Sequence, residues 1–573
     1  MKFIPKISPT SFKIILLLVL LTALLASIII LSCVPPVSRD ALTHHLAVPK
    51  LYLKQGGIYE IPHVVFSYYP MNVDLLYLIP LYFGNDIATK YIHFSFALLT
   101  AWMIFNYLHK RIDLFYALLG TLFFLSLPLI VKLSITVYVD LGLVFFSTAS
   151  IIYIFKWIES RFKLKHLIIS AGWCGLSLGT KYNGLVILIL LTLFIPFVYV
   201  RNGHGGRLIQ GKAVGCAAIF MAVALLIFSP WMIRNYHWKQ NPIYPLYHSW
   251  FSHQKIPAPA DITNGNDSNN RKTDAKVKVD SSRSQERIGL FGYRKIFYNE
   301  SWWEIALVPL RIFFTGKDGD PQQFDGKLNP FLFLLPFFAF IRFPKGQSQF
   351  ETEKWIWLVF SLLFLLITFF KTEMRIRYIA PIVPPLIILS MMGLHQINVI
   401  VLTRYPAGSS IIPRAAITVV TGMMLLINAV YVMHQFSEVQ PIGYLSGRVG
   451  RDEYIETYRK EYPVVQYANT NLPATVKILS IFLGNRIYHS DKTMISDPGM
   501  LLKAVRRSDS PKKISMGLRK SGLTHLIIRM DLFEGWIDNN FDENEIELIK
   551  LFFKENMQLI YYKNGYGLFE IEG

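Results

Sequence analysis

Long apolar runs recur along most of the chain, near residues 13–32, 88–108, 114–131, 139–157, 167–179, 184–200, 213–232, 328–342, 355–370, 378–399 and 412–433. About twenty apolar residues cross the hydrocarbon layer as a helix, which satisfies its own backbone N–H and C=O groups where no water is present. The pattern therefore predicts eleven membrane-spanning helices, several shorter than an untilted crossing. After about residue 434 the pattern changes to that of a soluble domain. "VKILSIFL" (476–483) and "THLIIRM" (524–530) read as buried strands, and "LIYYKNGYGLFEIE" (559–572) carries the Asn-Gly signal of a tight hairpin. The expected fold class is a polytopic all-α membrane module, residues 1–433, followed by a small α/β domain, residues 434–573. Within the module, residues 254–287 have almost no large apolar side chains and read as a disordered loop insertion. "WWEIALVPLRIFF" (302–314) reads as an amphipathic helix with aromatic anchors at the membrane interface.

Charge refines the threading. Fifty-eight Lys and Arg against 38 Asp and Glu give a formal charge of +20, which in a soluble protein would suggest nucleic acid. Here many of the basic residues flank apolar runs, where they set topology, and nucleic acid is discounted as a partner. With the N-terminus inside, the cytoplasmic loops carry Lys110 and Arg111, then Lys156, Arg161, Lys163 and Lys165, then Arg201, Arg207 and Lys212, then Arg342, Lys345 and Lys354. The outward segments are then 33–87, 132–138, 180–183, 233–327, 371–377 and the C-terminal domain. Lys2, Lys6 and Lys13 precede an apolar run too long for a signal-peptide core, so the first helix reads as uncleaved, although "ILSC" (30–33) faintly resembles a lipoprotein cleavage site. Cys33, Cys174 and Cys216 have neither metal-ligand nor disulfide spacing.

Most of the candidate chemistry falls on the outward side. "SRDALTHHL" (38–46) follows the first apolar run. If it begins a helix, Asp40 and His44 share a face and His45 is turned by about 100°. Asp40 then serves either as a proton acceptor under an apolar roof or as the cap of a helix over residues 41–54. Asp140 stands where the 139–157 run begins, with the same two roles open to it. Lys181 occupies a very short connection, where a charge is costly without a partner. Arg234 follows a span directly, and Arg375 and Arg377 lie in an outward loop expected to be poor in basic residues. Asp74, Glu304, Asp318, Asp320 and Asp325 are further outward acids that the sequence does not rank, the last three in or beside the surface loop "KDGDPQQFDG" (317–326). His44, His45, His63, His237 and His248, with Asp40 or Glu60, form no metal-ligand pattern beyond the adjacent pair. No cofactor is expected, and a divalent metal is the lesser alternative. No Walker sequence, dinucleotide fingerprint or nucleophile elbow is present, and "GRVGRD" (447–452) reads as a loop.

Five stretches together resemble the type C superfamily of bacterial membrane glycosyltransferases, near the protein O-mannosyltransferases and aminoarabinose transferases of glycosyltransferase family 39. They are "SRDALTHHLAVPKLYLKQGGIYEIPHVVFSYYPMNVDLLYLIPLYF" (38–83), "YVDLGLVFF" (138–146), "LGTKYNG" (178–184), "SPWMIRNYHWKQNPIYPLY" (229–247) and "RYIAPIVPP" (377–385). Their order and common outward placement carry the resemblance. It implies transfer of a sugar from a polyprenyl-phosphate-linked donor to a lipid, protein or glycan acceptor on the outer face of the bacterial cytoplasmic membrane, usually with inversion. It also implies an acid in the first outward loop, matched by Asp40, and a second acid, matched by Asp140; several members carry two adjacent acids where this chain has Arg39 and Asp40. An attacking hydroxyl must lose a proton, whereas a departing polyprenyl phosphate needs positive charge. On this reading Lys181, Arg234 and Arg377 hold the donor phosphate, Tyr182 and Tyr378 donate hydroxyls to it, and His44 orients Asp40 or binds sugar hydroxyls. The rival class is a transporter or lipid flippase, for which internal repeats and helices broken at the bilayer midplane would be expected. A noncatalytic envelope scaffold is a third possibility.

Overall fold

Every apolar run is helical in the computed structural model, which describes residues 9–203, 209–251, 290–341, 351–369, 374–404 and 411–572. Among these residues eight helices are long and apolar enough to cross a membrane: Ser11–Ser32, Ala88–Arg111, Asp140–Glu159, Gly184–Asn202, Ile209–Lys239, Glu351–Phe369, Ile376–Arg404 and Ile412–Val439. Leu114–Ser126 and Pro128–Ser134 are a further apolar pair, long enough together to cross and bent by 63° at a proline that has no N–H to continue the ladder. The two remaining runs form shorter apolar helices, Leu164–Leu178 and Phe331–Phe340. The second tightens to a 3-10 helix from Leu335, where Pro336 again removes a donor. The chain is a multi-pass membrane protein.

The segment between the first two long helices folds down onto the bundle. Asn72 is locked there, its N–H donating to Gly179 O at 2.8 Å and its Oδ1 accepting from Trp231 Nε1 at 2.8 Å. A Cβ at Gly179 would lie 2.1 Å from Asn72 Nδ2, and one at Gly142 would lie 2.6 Å from Val73 Cγ2. Glycine at these two positions lets the segment approach both helices closely. Gly179→Ala is expected to destabilise the protein by about 2 kcal/mol, since Asn72 cannot yield without losing Trp231. Thermal unfolding in detergent checks this, and an unchanged midpoint would contradict the close approach.

The C-terminal domain is a five-stranded sheet in the order β2-β1-β3-β5-β4, with β1 Lys477–Ile481, β2 Thr493–Ile495, β3 His525–Arg529, β4 Met557–Lys563 and β5 Tyr566–Ile571. The first three pair in parallel, and β5 runs antiparallel to both neighbours. The expected strands and hairpin are present. Asn564 and Gly565 take φ values of 55° and 84°, the left-handed pair that a two-residue hairpin turn requires. Leu479, Ile481, Leu526 and Ile528 face helices Pro498–Arg506, Pro511–Lys520 and Glu543–Asn556. Ile478, Ile527 and Leu568 face helix Tyr462–Asn471 on the other side. Covered on both faces, β1 and β3 read as continuous apolar runs.

One expectation differs from the fold. The 302–314 stretch forms two short helices, Trp302–Ala306 and Val308–Arg311, because Pro309 cannot continue the first. Trp302 and Trp303 remain exposed. The expected disordered insertion at 254–287 lies outside the described residues.

Candidate active site

Asp40 enters the site on an unusual turn. Residues Ala41–His45 form a π-helix, with Leu46 N–H donating to Ala41 O at 2.9 Å, before an α-helix runs from Ala47 to Gln55. Such turns are rare and concentrate at functional sites. The alternative role of Asp40 as a cap is not realised. A capping residue has extended backbone, whereas Asp40 has helical dihedrals of −67° and −33° and its side chain makes no cap bond. Its Oδ2 instead lies 2.6 Å from Arg377 Nη1, with only 21% and 13% of the two side chains exposed. Burial would raise the Asp40 pKa, but Arg377, His44 and His45 outweigh it and hold the carboxyl well below the usual range.

Arg377 is delivered by the 3-10 turn Ile376–Ile382, which is pinned where Ile376 N–H donates to Phe324 O at 2.8 Å. The guanidinium lies 4.9 Å from the Tyr138 ring and 5.5 Å from the Tyr378 ring. Lys181 Nζ approaches the same Tyr378 ring at 5.3 Å and donates to Asp140 Oδ1 at 2.7 Å. Asp140 is fully buried at the start of its helix; its side chain caps nothing, and Oδ2 has no partner. His93 takes over at that helix end, its Nε2 accepting from Leu141 N–H at 3.0 Å while Nδ1 faces Leu133 O and Thr136 O. Two carboxylate–cation pairs, Asp40 with Arg377 and Asp140 with Lys181, thus converge on Tyr378.

The histidines line one wall. His44 stacks on Phe66 at 4.4 Å and lies 4.0 Å from the His45 ring, with its buried Nδ1 unpartnered. Burial pushes both histidines down to about 3, so both are neutral at pH 7. His45 Nδ1 meets Asp74 Oδ1 at 2.6 Å, and burial pushes Asp74 up to about 7 against the pull of His44 and Lys181. Burial thus favours the protonated carboxyl, which in that form donates to the unprotonated Nδ1 of the neutral imidazole. A carboxyl inside the apolar stretch "VDLLYLIP" (73–80) was the available signal for this pair. The folded protein holds the Asp74 proton up to about pH 7, whereas an unfolded aspartate releases it near 3.8, so the stabilisation is complete below that value and is lost as pH rises through about 7. Asp74→Asn is expected to flatten the change in melting temperature between about pH 5 and pH 8; an undiminished slope would contradict the assignment.

Arg234 forms a separate cationic centre. Its guanidinium is flanked by Trp231 at 4.5 Å and Trp238 at 5.0 Å, with Nη2 donating to Tyr69 O at 3.1 Å and Asn235 Oδ1 at 2.9 Å. Nη1 is buried without a partner. Tyr182 belongs to this centre, its hydroxyl donating to Tyr244 O at 2.8 Å and accepting from Asn235 Nδ2 at 3.1 Å. Several outward acids have structural partners. Asp325 pairs with Arg375 at 3.6 Å, Asp318 accepts from Tyr431, Asp320 caps the turn at Gln322 and Gln323, and Glu304 completes a capping box with Ser301. The 317–326 loop that holds the three aspartates abuts the 3-10 turn that delivers Arg377. His63 and His237 are exposed, and the described residues contain no group of three His, Cys, Asp or Glu side chains placed to hold a metal.

Residues 60–243 match the family described as dolichyl-phosphate-mannose-protein mannosyltransferase, a segment that includes Asp74, Asp140, Lys181 and Arg234. No curated protein matches the chain by sequence. Among solved structures, ArnT from Cupriavidus metallidurans in the apo state is similar over 98% of both chains, with a TM-score of 0.57 and 12% identity. ArnT from the same organism bound to undecaprenyl phosphate is similar over 96% of this chain and 97% of that one, with a TM-score of 0.55 and 12% identity. At such identity the likeness is one of fold. The resemblance to type C membrane glycosyltransferases read from the sequence holds in both the family match and the architecture.

Proposed function

From a chain with the type C glycosyltransferase fold, we propose an enzyme that moves a sugar from a polyprenyl-phosphate-linked donor to a lipid, protein or glycan acceptor at the outer face of the bacterial cytoplasmic membrane. The observation that carries this reading is the convergence of the Asp40–Arg377 and Asp140–Lys181 pairs on Tyr378. The N-terminus lies in the cytoplasm and the C-terminal domain outside, as the basic loops require. The acceptor hydroxyl attacks the anomeric carbon with inversion, the bond from that carbon to the phosphate oxygen breaks, and the hydroxyl proton passes to Asp40. Polyprenyl phosphate leaves with the bonding electron pair, its charge held by Arg377 and Lys181, with Arg234 offering its unpartnered Nη1 and Tyr378 its hydroxyl, while the Tyr182 hydroxyl, which donates to Tyr244 O, holds Asn235 beside Arg234. His44 binds sugar hydroxyls or orients Asp40.

In the free protein both Arg377 and Lys181 are occupied by carboxylates. An arriving phosphate competes for them, and each cation it draws away makes the abandoned carboxylate more basic. Donor binding thus prepares Asp40 for the proton. Purified protein incubated with polyprenyl-phosphate sugars is expected to release polyprenyl phosphate and to glycosylate a supplied envelope acceptor. Movement of intact donor across vesicles without bond cleavage would instead identify a transporter.

A further inference from the structure

The backbone carrying Asp40 is gripped on both sides by the C-terminal domain. Residues 35–38 have no regular structure, so the Val37 carbonyl lacks a helical partner; Arg459 Nε donates to it at 2.6 Å. On the other side, Tyr488 N–H donates to Leu42 O inside the π-turn at 3.0 Å. These carbonyls lie three residues before Asp40 and two after it.

Both donors are themselves held. Arg459 ends helix Arg451–Tyr458, its N–H bonded to Ile455 O at 2.7 Å. The Tyr488 hydroxyl donates to Asp86 at 3.2 Å, and Asp86 is paired with Arg451 at 2.5 Å. Tyr488 O accepts from Lys50 Nζ at 2.9 Å, and the same ammonium reaches Ser490 O and Asp491. Ile487 and Tyr488 also pack against the core of the membrane module. The grip on Asp40 is therefore part of a broad docking surface, and these two bonds bring it to the residues flanking the carboxylate.

We propose that Arg459 and Tyr488 are positioning residues that fix the Asp40 carboxylate for proton transfer. The proposal rests on the reading of Asp40 as the base. Leu42 N–H donating to Ser38 O at 3.2 Å and Thr43 Oγ1 donating to Arg39 O at 2.8 Å fix the shape of the turn but not its place relative to the rest of the site, and the Arg377 pair fixes only the side-chain tip. The two backbone bonds supply what is missing, and a displacement of about 1 Å costs roughly a hundredfold in rate.

Arg459→Met keeps much of the side-chain stem and removes the donor. It is expected to lower kcat about tenfold with donor KM within about twofold of the parent, and Arg459→Lys to recover part of the loss. Lys54→Met loosens the same domain from helix Ala47–Gln55, where Lys54 Nζ donates to Asp491 O at 3.0 Å, without touching Arg459, Tyr488 or either flanking carbonyl, and is expected to leave kcat within about twofold. In an Asp40→Asn background, Arg459→Met is expected to add no further loss. Equal losses in Arg459→Met and Lys54→Met would overturn the proposal, since docking in general would then be responsible, and so would unchanged kcat in Arg459→Met. If Arg459→Met does not fold, Tyr488→Phe, which keeps the amide and frees its anchor to Asp86, carries the test with an expected loss of about threefold; an unaltered kcat there would overturn it. An active Asp40→Asn enzyme would sink the underlying reading instead.

Discussion

Asp40→Asn is expected to lower kcat by about a thousandfold while leaving donor affinity unchanged or improved. The amide is nearly isosteric, so the π-turn and its two flanking bonds should persist. What disappears is the site that takes the acceptor proton. At the same time Arg377 loses the counter-charge 2.6 Å away and becomes fully available to the donor phosphate. The two effects run in opposite directions, and steady-state kinetics separates them as a collapse in kcat with donor KM flat or lower. A residue that merely stabilised the fold would lower the amount of active protein and leave the kcat of the folded fraction intact. In the parent enzyme Arg377 keeps Asp40 ionised to low pH, so Asp40 contributes stability above the ordinary aspartate pKa of 3.8 and loses it only as pH falls through its depressed value. Arg377→Met removes that depression and should move the acid limb of the pH–rate profile upward.

Lys181→Met is expected to destabilise the protein by about 3–5 kcal/mol, the usual consequence of removing one partner from a buried ion pair. Asp140 is fully buried and its second oxygen already lacks a partner, so nothing nearby replaces the lost ammonium. The double variant Asp140→Asn with Lys181→Met removes both charges together and should recover most of the stability, because an uncompensated charge is far more costly than a missing pair. Turnover should not return with it, since the lysine is also assigned to the departing phosphate. Thermal unfolding and activity measured on the four members of the cycle decide this. A double variant as unstable as Lys181→Met would show that the loss comes from packing, and an active one would remove both residues from the chemistry.

The spans, both central strands and the hairpin were legible because each depends on local pattern: apolar length for the helices, continuous burial for β1 and β3, a left-handed Asn-Gly pair for the turn. The bend at Pro128 and the break at Pro309 follow from residues visible in the sequence but lost inside otherwise apolar stretches. Site membership was partly legible through position, since Asp40, Asp140, Lys181 and Arg377 each carry a charge at the end of an apolar run. Their pairing was not. Nothing near residue 40 indicates that its partner is residue 377, nor does "VDLLYLIP" indicate that Asp74 turns toward His45. Such pairs are chosen by tertiary packing, here by the close approach at Gly142 and Gly179 and by the loop that pins Ile376. The π-turn was equally hidden, because its sequence suits an ordinary helix.

The bond from Tyr488 to Leu42 also sets a schedule for biogenesis. Ribosomes deliver residue 42 long before residue 488, and every membrane-crossing segment after the first is made in between. A nascent chain halted between the last crossing and residue 488 would possess its acid, its arginine and its lipid-facing walls yet hold an unfinished centre. On the proposed reading, sugar transfer would begin only when the C-terminal domain had been made and had closed over the turn that carries Asp40.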